Sequence, residues 1–404
     1  MSGARPASVP AVTEQPRRAL EGVRVLDLSN LIAGPMSTMY LADFGAEVIK
    51  AEHPERGDEL RNWGRKKDGV GLFFKVVNRN KKTITLNLST PEGQELVRRL
   101  VPHVDVVVEN YRPGTLERWG IGWEQLRAVN PRLIMARVTG FGQTGPYSSR
   151  PGFGTLAEAY SGYAALSGYE DRPPLLPAFG LGDASSAIHG AFAVMLALYH
   201  RDAVGGEGQQ IDLSLYEGLF TLLGPHVVDY DQLGVVAERT GSRIAHVAPR
   251  NTYQTADGKW MAIAGATQRT FERICQVLEI EDMLEDPRFA DNQARVANVE
   301  ALDERIQEAF GRLTLEEAMT RFGEAEAPVG PAHDVAGIFA DPHYQARGSI
   351  ASVEDDELGT IRMQAPVPRL GGTPGRIAHA GPTRGEHNDE VYRGLLGLSD
   401  DELA

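Results

Sequence analysis

A chain of 404 residues with 42% hydrophobic content is long enough to bury a large core and to divide into two domains. Its net charge of −14 argues against nonspecific nucleic-acid binding, which depends on many phosphate-neutralising Lys and Arg. The single cysteine, Cys275, excludes an intrachain disulfide and argues against a thiolate metal site, so the expectation is a cytoplasmic protein with no metal.

The charge is uneven along the chain. Residues 1–120 carry 18 Lys and Arg against 15 Asp and Glu, and the remainder carries 23 against 40. A small polyanionic ligand would find its cations in the first part, although an ordinary solvated face explains the same asymmetry. Met1 to Ala19 is rich in Pro, Ala, Ser and Arg, with no apolar run of the kind a secretory signal needs, and reads as a loose tail.

From Leu20 short apolar runs alternate with helical segments. VRVLDL (Val23–Leu28), AEVIKAE (Ala46–Glu52), TITLNL (Thr83–Leu88), DVVVEN (Asp105–Asn110) and LIMARVT (Leu133–Thr139) predict strands buried on both faces. PMSTMYLADFG after the first and TPEGQELVRRLV after the third predict helices, the latter with Thr90 as N-cap and Pro91 at the first helical position. That rhythm specifies an α/β domain with a parallel sheet. The apolar stretch from Ala184 to Tyr199 is interrupted by His189 and Gly190 and falls short of the ~20 apolar residues a membrane helix needs, so a soluble protein is expected.

After about Asp229 the texture changes. NTYQTADGKWMAIAG (Asn251–Gly265) has alternating runs around Asp257-Gly258, a hairpin signal, and helices follow in TFERICQVLEI and VEALDERIQEAFGRL. From Ala327 the chain is rich in Pro, Gly and His, then predicts a hairpin around Asp355 to Gly359 and a last helix near Asp389 to Leu396.

Several motifs have ordinary explanations. GFGQTG (Gly140–Gly145) matches G-x-G-x-x-G after a predicted strand, but Pro146, Tyr147 and the following serines open no helix to receive a pyrophosphate, so a glycine-rich turn is expected. The ten His have no ligand spacing; His189 and His200 read as core or helix-end residues. NRNKK (Asn78–Lys82) could meet phosphates but reads as an exposed basic turn. LGDASSAIHG (Leu181–Gly190) places Asp183 before the long apolar run. Local sequence favours an N-cap whose carboxylate bonds the amide of Ser186. The same setting would keep the carboxylate ionised, as covalent catalysis by Asp requires.

LEGVRVLDLSNLIAGPMSTMYLADFGAEVIKAEHPERGDELRNWG (Leu20–Gly64) resembles the opening of the class III coenzyme A transferases, the CaiB/BaiF type that includes formyl-CoA transferase. FKVVNRNKKTITLNLSTPEG, VVVENYRPGTLERWGIGWEQLRAVNPRLI, LGDASSAIHG, GEGQQIDLSLYEGLF, APVGPAHDV and GEHNDEVYRGLLGL extend the resemblance in the same order. It implies a Rossmann-like parallel-sheet large domain formed by both chain ends, a smaller α+β domain, and an interlocked homodimer. The expected boundaries are a tail over 1–19, the large domain's first part over 20–228, a linker and small domain over 229–326, and a linker and returning segment over 327–404.

The same resemblance puts the nucleophile on Asp183 and the CoA contacts on Leu31, Ile32, Ala33, His53, Leu86, Asn110, Tyr111, Arg112 and Arg118. His53, Ile32 and Ser89 stand where formyl-CoA transferase carries arginine, glutamine and lysine. Acyl-CoA and a small organic acid would be the partners, with no nucleic acid, no membrane and no permanently bound cofactor. The amides of Ala33-Gly34, or the glycines flanking Asp183, are candidate oxyanion donors. Arg243 or Arg250 is the candidate for a second carboxylate of a substrate such as succinate.

Two other functions remain open. The related 2-methylacyl-CoA racemases use a His that falls on Phe153 here, and phenylalanine exchanges no proton; Gly154 also replaces an acid common in the transferases. A noncatalytic acyl-CoA-binding protein, with Asp183 only a cap, is the third possibility.

Overall fold

The computed structural model describes residues 18–403. Of the expected tail over 1–19, residues 1–17 therefore lie outside the described residues. The described residues divide into two compact units, 18–157, 179–222 and 350–403 in the first, and 158–178 with 223–349 in the second. Residues 158–178 thus fall in the second unit, where the sequence placed them in the large domain, and that unit ends at Ser349.

The first unit is built on a six-stranded parallel sheet. In chain order its strands are β1 (Arg24–Asp27), β2 (Glu47–Glu52), β3 (Lys81–Thr85), β4 (Val106–Glu109), β5 (Ile134–Thr139) and β6 (Gln210–Ser214), arranged β3-β2-β1-β4-β5-β6. The apolar runs form strands because both faces are covered. Leu26, Ile49, Val107 and Met135 enter one core cluster, and Val25, Val48, Val106 and Ile134 enter another. The strand order reverses at β1, whose neighbours β2 and β4 are followed by connections leading to opposite edges. In such sheets the crevice beyond the strands' carboxyl ends at this reversal is where ligands bind.

Helix α1 (Ala33–Asp43) follows β1, and α2 (Pro91–Leu100) follows β3. As the sequence predicts, Thr90 caps α2, its hydroxyl accepting from the Gly93 amide at 3.2 Å, with Pro91 at the first turn. Helix α3 runs over 23 residues, Leu181–Ala203. That corrects the shorter apolar stretch: by length and composition α3 is long and apolar enough to cross a membrane. One face of it, including Gly190, Val194, Ala197 and Leu198, is buried. Gly190 does not break the helix; a Cβ there would lie 2.7 Å from Ser37 Oγ, so glycine is what lets α3 approach α1. Helix α4 (Leu215–Phe220) follows β6 and is capped by Ser214.

The C-terminal segment joins this unit. A hairpin of Ile350–Asp355 with Gly359–Gln364 turns at the expected place, with Asp355 Oδ1 accepting the amides of Glu357 and Leu358. Asn388 Oδ1 accepts the Thr85 amide at 2.9 Å and the Tyr392 hydroxyl donates to the Thr85 carbonyl at 2.7 Å, which ties the end of the chain to the edge strand β3. The last helix expected near 389–396 winds as a π-helix over Glu390–Leu395.

In the second unit the hairpin around Asp257-Gly258 forms as β7 (Arg250–Gln254) and β8 (Trp260–Ala264), with β9 (Val329–Pro331) adding to β8. Gly258 takes φ +75°, the left-handed turn position that favours glycine. Tyr253, Phe310 and Phe322 stack at 5.6 and 5.5 Å inside a core shared with Phe271, Ile306 and the buried Cys275.

Candidate active site

Most of the residues expected to meet CoA lie where the parallel strands end. Leu31, Ile32 and Ala33 lead from β1 into α1, His53 follows β2, Leu86 follows β3, and Asn110 to Arg112 follow β4. Asn110 spans the gap between β1 and β4: its Oδ1 accepts the Asn30 amide at 2.8 Å and its Nδ2 donates to the Asn30 carbonyl at 2.7 Å. Asn30 Nδ2 donates to the Tyr111 hydroxyl at 3.2 Å, and Tyr111 meets Trp119 edge-on at 5.3 Å. Burial raises the Tyr111 hydroxyl pKa above the usual phenol value, so it stays protonated.

The helix beginning here starts without a side-chain cap, its first residues buried. Ile32 occupies the N-cap of α1 without a side-chain cap, and no hydrogen bond from the amides of Ile32, Ala33 or Gly34 occurs among the described residues. Gly34 is required, because a Cβ there would collide with the Ser29 side chain. Such unbonded amides, with the helix dipole behind them, are the groups by which helix starts attract anions in general.

The remaining expected contacts are less uniform. Leu86 is buried in the core, so its backbone, which donates to the Glu52 carbonyl at 2.7 Å, is what lies at the sheet edge. His53 is half-buried, and its Nδ1 accepts the amides of Glu55 and Arg56 at 3.2 and 3.3 Å. Arg112 and Arg118 are exposed and make no ion pair among the described residues; Arg118 Nη2 donates to Thr115 Oγ1 at 3.0 Å.

Many other N-terminal cations are committed internally. Lys81 pairs with Asp27 at 3.0 Å, Lys50 with Asp58 at 2.9 Å, Arg79 with Asp43 and Arg61 with Glu52, each at 2.6 Å. NRNKK is therefore not an exposed turn, since Asn78, Arg79 and Lys81 are buried. Burial opposes ionisation of Asp27, but Lys81, Lys50 and the hydroxyls of Ser29 and Thr38 outweigh it and hold the carboxyl at about 2. Sequence reasoning did not single out Asp27, Lys50, Asp58 or Asn30. The signal available was a lysine inside the apolar run AEVIKAE, which predicts a buried partner.

Asp183 does not sit at the N-cap. Gly180 takes that position, and Asp183 is the third residue of α3, half-buried in the first turn. This corrects the cap reading but leaves the carboxylate where the helix dipole favours its charge. Glycines surround it. A Cβ on Gly154 would lie 2.7 Å from Asp183 Cγ and closer still to Oδ2, and one on Gly182 would lie 2.7 Å from the Gly154 carbonyl oxygen. A Cβ on Gly180 would lie 3.2 Å from Asp183 Oδ2 and 3.7 Å from Ile32 Cδ1. The start of α3 is thus adjacent to the start of α1. Phe153 is 63% exposed.

The flanking polar residues have structural partners. Ser186 Oγ donates to the Leu215 carbonyl at 3.0 Å, and His189 Nδ1 lies 2.8 Å from the Ser185 carbonyl, while His200 is exposed at the helix end. The GFGQTG loop packs Gly140 on Gly152 and presents the Gln143 amide to Asp212, with no helix opening after Gly145. It is the glycine turn expected.

A parallel sheet with uncapped helix-start amides at its reversal, and a carboxylate packed among glycines beside them, has the arrangement of an α/β enzyme acting at the carboxyl ends of its strands. Residues 20–388 match the family model described as CoA-transferase family III, and the chain belongs to that family. It is 46% identical over 97% of its length to Succinyl-CoA–D-citramalate CoA-transferase of Chloroflexus aurantiacus, of which 98% is covered. It is 39% identical over 98% of its length to the alpha subunit of Succinyl-CoA–L-malate CoA-transferase of the same organism, covering 93% of it. Among solved structures it resembles a CaiB/BaiF family protein from Brucella suis, with a TM-score of 0.84 and 33% identity, covering 94% of this chain and all of that one. As a family III CoA-transferase it moves CoA between an acyl-CoA and an organic acid.

Proposed function

We propose that the donor is succinyl-CoA or a similar acyl-CoA, that the acceptor is a small organic acid, and that Asp183 carries the reaction covalently. The observation supporting this is the Asp183 carboxylate in the first turn of α3, bordered by Gly154, Gly180 and Gly182. The activities for which the two Chloroflexus relatives are named support the succinyl donor.

An Asp183 oxygen attacks the thioester carbonyl, the C–S bond breaks, and an aspartyl acyl anhydride forms with release of CoA thiolate, a competent leaving group because thiols ionise near pKa ~8.5. The thiolate then attacks the aspartyl carbonyl, expelling the donor carboxylate and leaving an aspartyl-CoA thioester. The acceptor carboxylate attacks that thioester, and the returning thiolate takes the acceptor acyl group, restoring Asp183. Each step develops an oxyanion, for which the amides of Ala33 and Gly34 or those beside Asp183 are donors. Anhydrides hydrolyse readily, so the surroundings of Asp183 must exclude water during the reaction.

Leu31 to Ala33, His53, the backbone at Leu86, Asn110, Tyr111, Arg112 and Arg118 would bind CoA, the two exposed arginines meeting its phosphates. The steps call on no metal or permanently bound cofactor. Phe153 supports transfer over racemisation, since it holds no exchangeable proton. A second copy of the chain would cover Ile188, Phe192, Leu196 and Tyr199, an exposed apolar row on α3, in the interlocked homodimer, and the compartment would be the cytoplasm.

Hydroxylamine tests the covalent step. Mixed with acyl-CoA and hydroxylamine, the protein should gain a hydroxamate at Asp183 detectable by peptide mass. A protein that transfers CoA but never yields this adduct would overturn the mechanism, and deuterium uptake at the α-carbon of 2-methylacyl-CoA in heavy water would favour the racemase instead.

A further inference from the structure

Leu31 takes φ +63°, inside the left-handed region. A branched, bulky side chain there costs on the order of 1 kcal/mol, and such a conformation persists only where its surroundings over-determine it. The Leu31 amide donates to Asp58 Oδ1 at 3.1 Å. The same oxygen accepts the Leu60 amide at 2.9 Å, and the Asp58 amide donates to Glu52 Oε2 at 2.9 Å. The other carboxylate oxygen pairs with Lys50 Nζ at 2.9 Å, with both side chains fully buried. Lys50 Nζ also donates to the carbonyl of Ser29, two residues before Leu31. One ion pair therefore grips both ends of the Ser29–Leu31 turn, while Asn110 holds Asn30 between them.

A buried ion pair is a poor source of stability, because desolvation offsets its attraction. Its position explains it better. The turn it holds ends at Ile32, where α1 begins with the unbonded amides of Ile32, Ala33 and Gly34. We propose that Asp58, paired with Lys50, is a positioning residue that holds Leu31 left-handed and so sets these three amides to bind CoA. The inference rests on the CoA site proposed above at the start of α1.

Calorimetric titration of the full-length protein with free CoA tests it. Asp58→Ala should weaken CoA binding about tenfold, the equivalent of releasing one strained backbone conformation. Asp58→Asn keeps an acceptor for the Leu31 amide and should lose less. Adding Leu31→Gly to Asp58→Ala should restore part of the affinity, because glycine adopts φ +63° without strain; a purely structural Asp58 would show no such rescue. Unchanged CoA affinity in Asp58→Ala, or no recovery with Leu31→Gly, overturns the proposal. If Asp58→Ala does not fold, Leu31→Val and Leu31→Gly give the same reading, since valine resists the left-handed region. Valine should then weaken CoA binding more than glycine, and equal losses overturn the proposal. A wild-type protein that fails to bind CoA would instead overturn the site itself.

Discussion

The Asp183 carboxylate occupies space that a side chain at Gly154 would need: a Cβ built there falls 2.7 Å from Asp183 Cγ. The carboxylate and the absent side chain are complementary. Gly154→Ala should therefore displace the carboxylate, and because about 1 Å of misplacement can cost on the order of 100-fold, kcat should fall by roughly that factor while free CoA binds as before. A kcat within threefold of wild type would show that the carboxylate tolerates the crowding.

Asp183→Asn keeps the shape of the side chain and removes the nucleophile. CoA transfer should drop by about 10⁴-fold or more, as for loss of other covalent catalytic residues, with CoA affinity and melting temperature little changed. Quench-flow assays with succinyl-CoA measure this, and substantial residual transfer would point to a different nucleophile.

Asp27 gives the buried charge cluster a pH signature. Its folded-state pKa of about 2 lies below the ordinary 3.8, so its contribution is fully present above 3.8 and is lost as pH falls toward 2; the shift is worth roughly 2 kcal/mol. Lys81, Lys50, Ser29 and Thr38 supply the compensation. Asp27→Asn should be less stable than wild type at about pH 6, and the gap should close as the pH falls below 3.8. Urea melts across that range test this, and a gap independent of pH would place the stabilisation elsewhere.

The two arginines proposed for a second substrate carboxylate differ in their surroundings. Arg243 Nε pairs with Asp303 Oδ2 at 2.7 Å, whereas Arg250 is exposed and donates to the Ser242 carbonyl. Arg250→Ala should raise KM for dicarboxylic acids several-fold with little effect on monocarboxylic ones, a charge-assisted bond being worth ~1.5–3 kcal/mol. Arg243→Ala should mainly lower the melting temperature. Equal KM values for wild type and Arg250→Ala would remove Arg250 from substrate binding.

The parallel sheet follows from the residues themselves, because Val106 to Val108 and the runs like them are apolar on both faces and fit only a strand covered on both sides. The Thr90 cap and the hairpins at Asp257-Gly258 and Asp355–Gly359 follow in the same way, since local hydrogen bonding and backbone freedom suffice for them. The strand-end positions of Asn110 and Tyr111 come from the same pattern. Which charges are buried depends instead on the folded chain: Lys50 lies in β2 and Asp58 in the loop that follows it, and no helical or strand spacing pairs them. Folding likewise moved Asp183 from cap to first turn and set Gly154 against it. Those relations depend on how the chain packs back on itself in three dimensions, which no local propensity encodes.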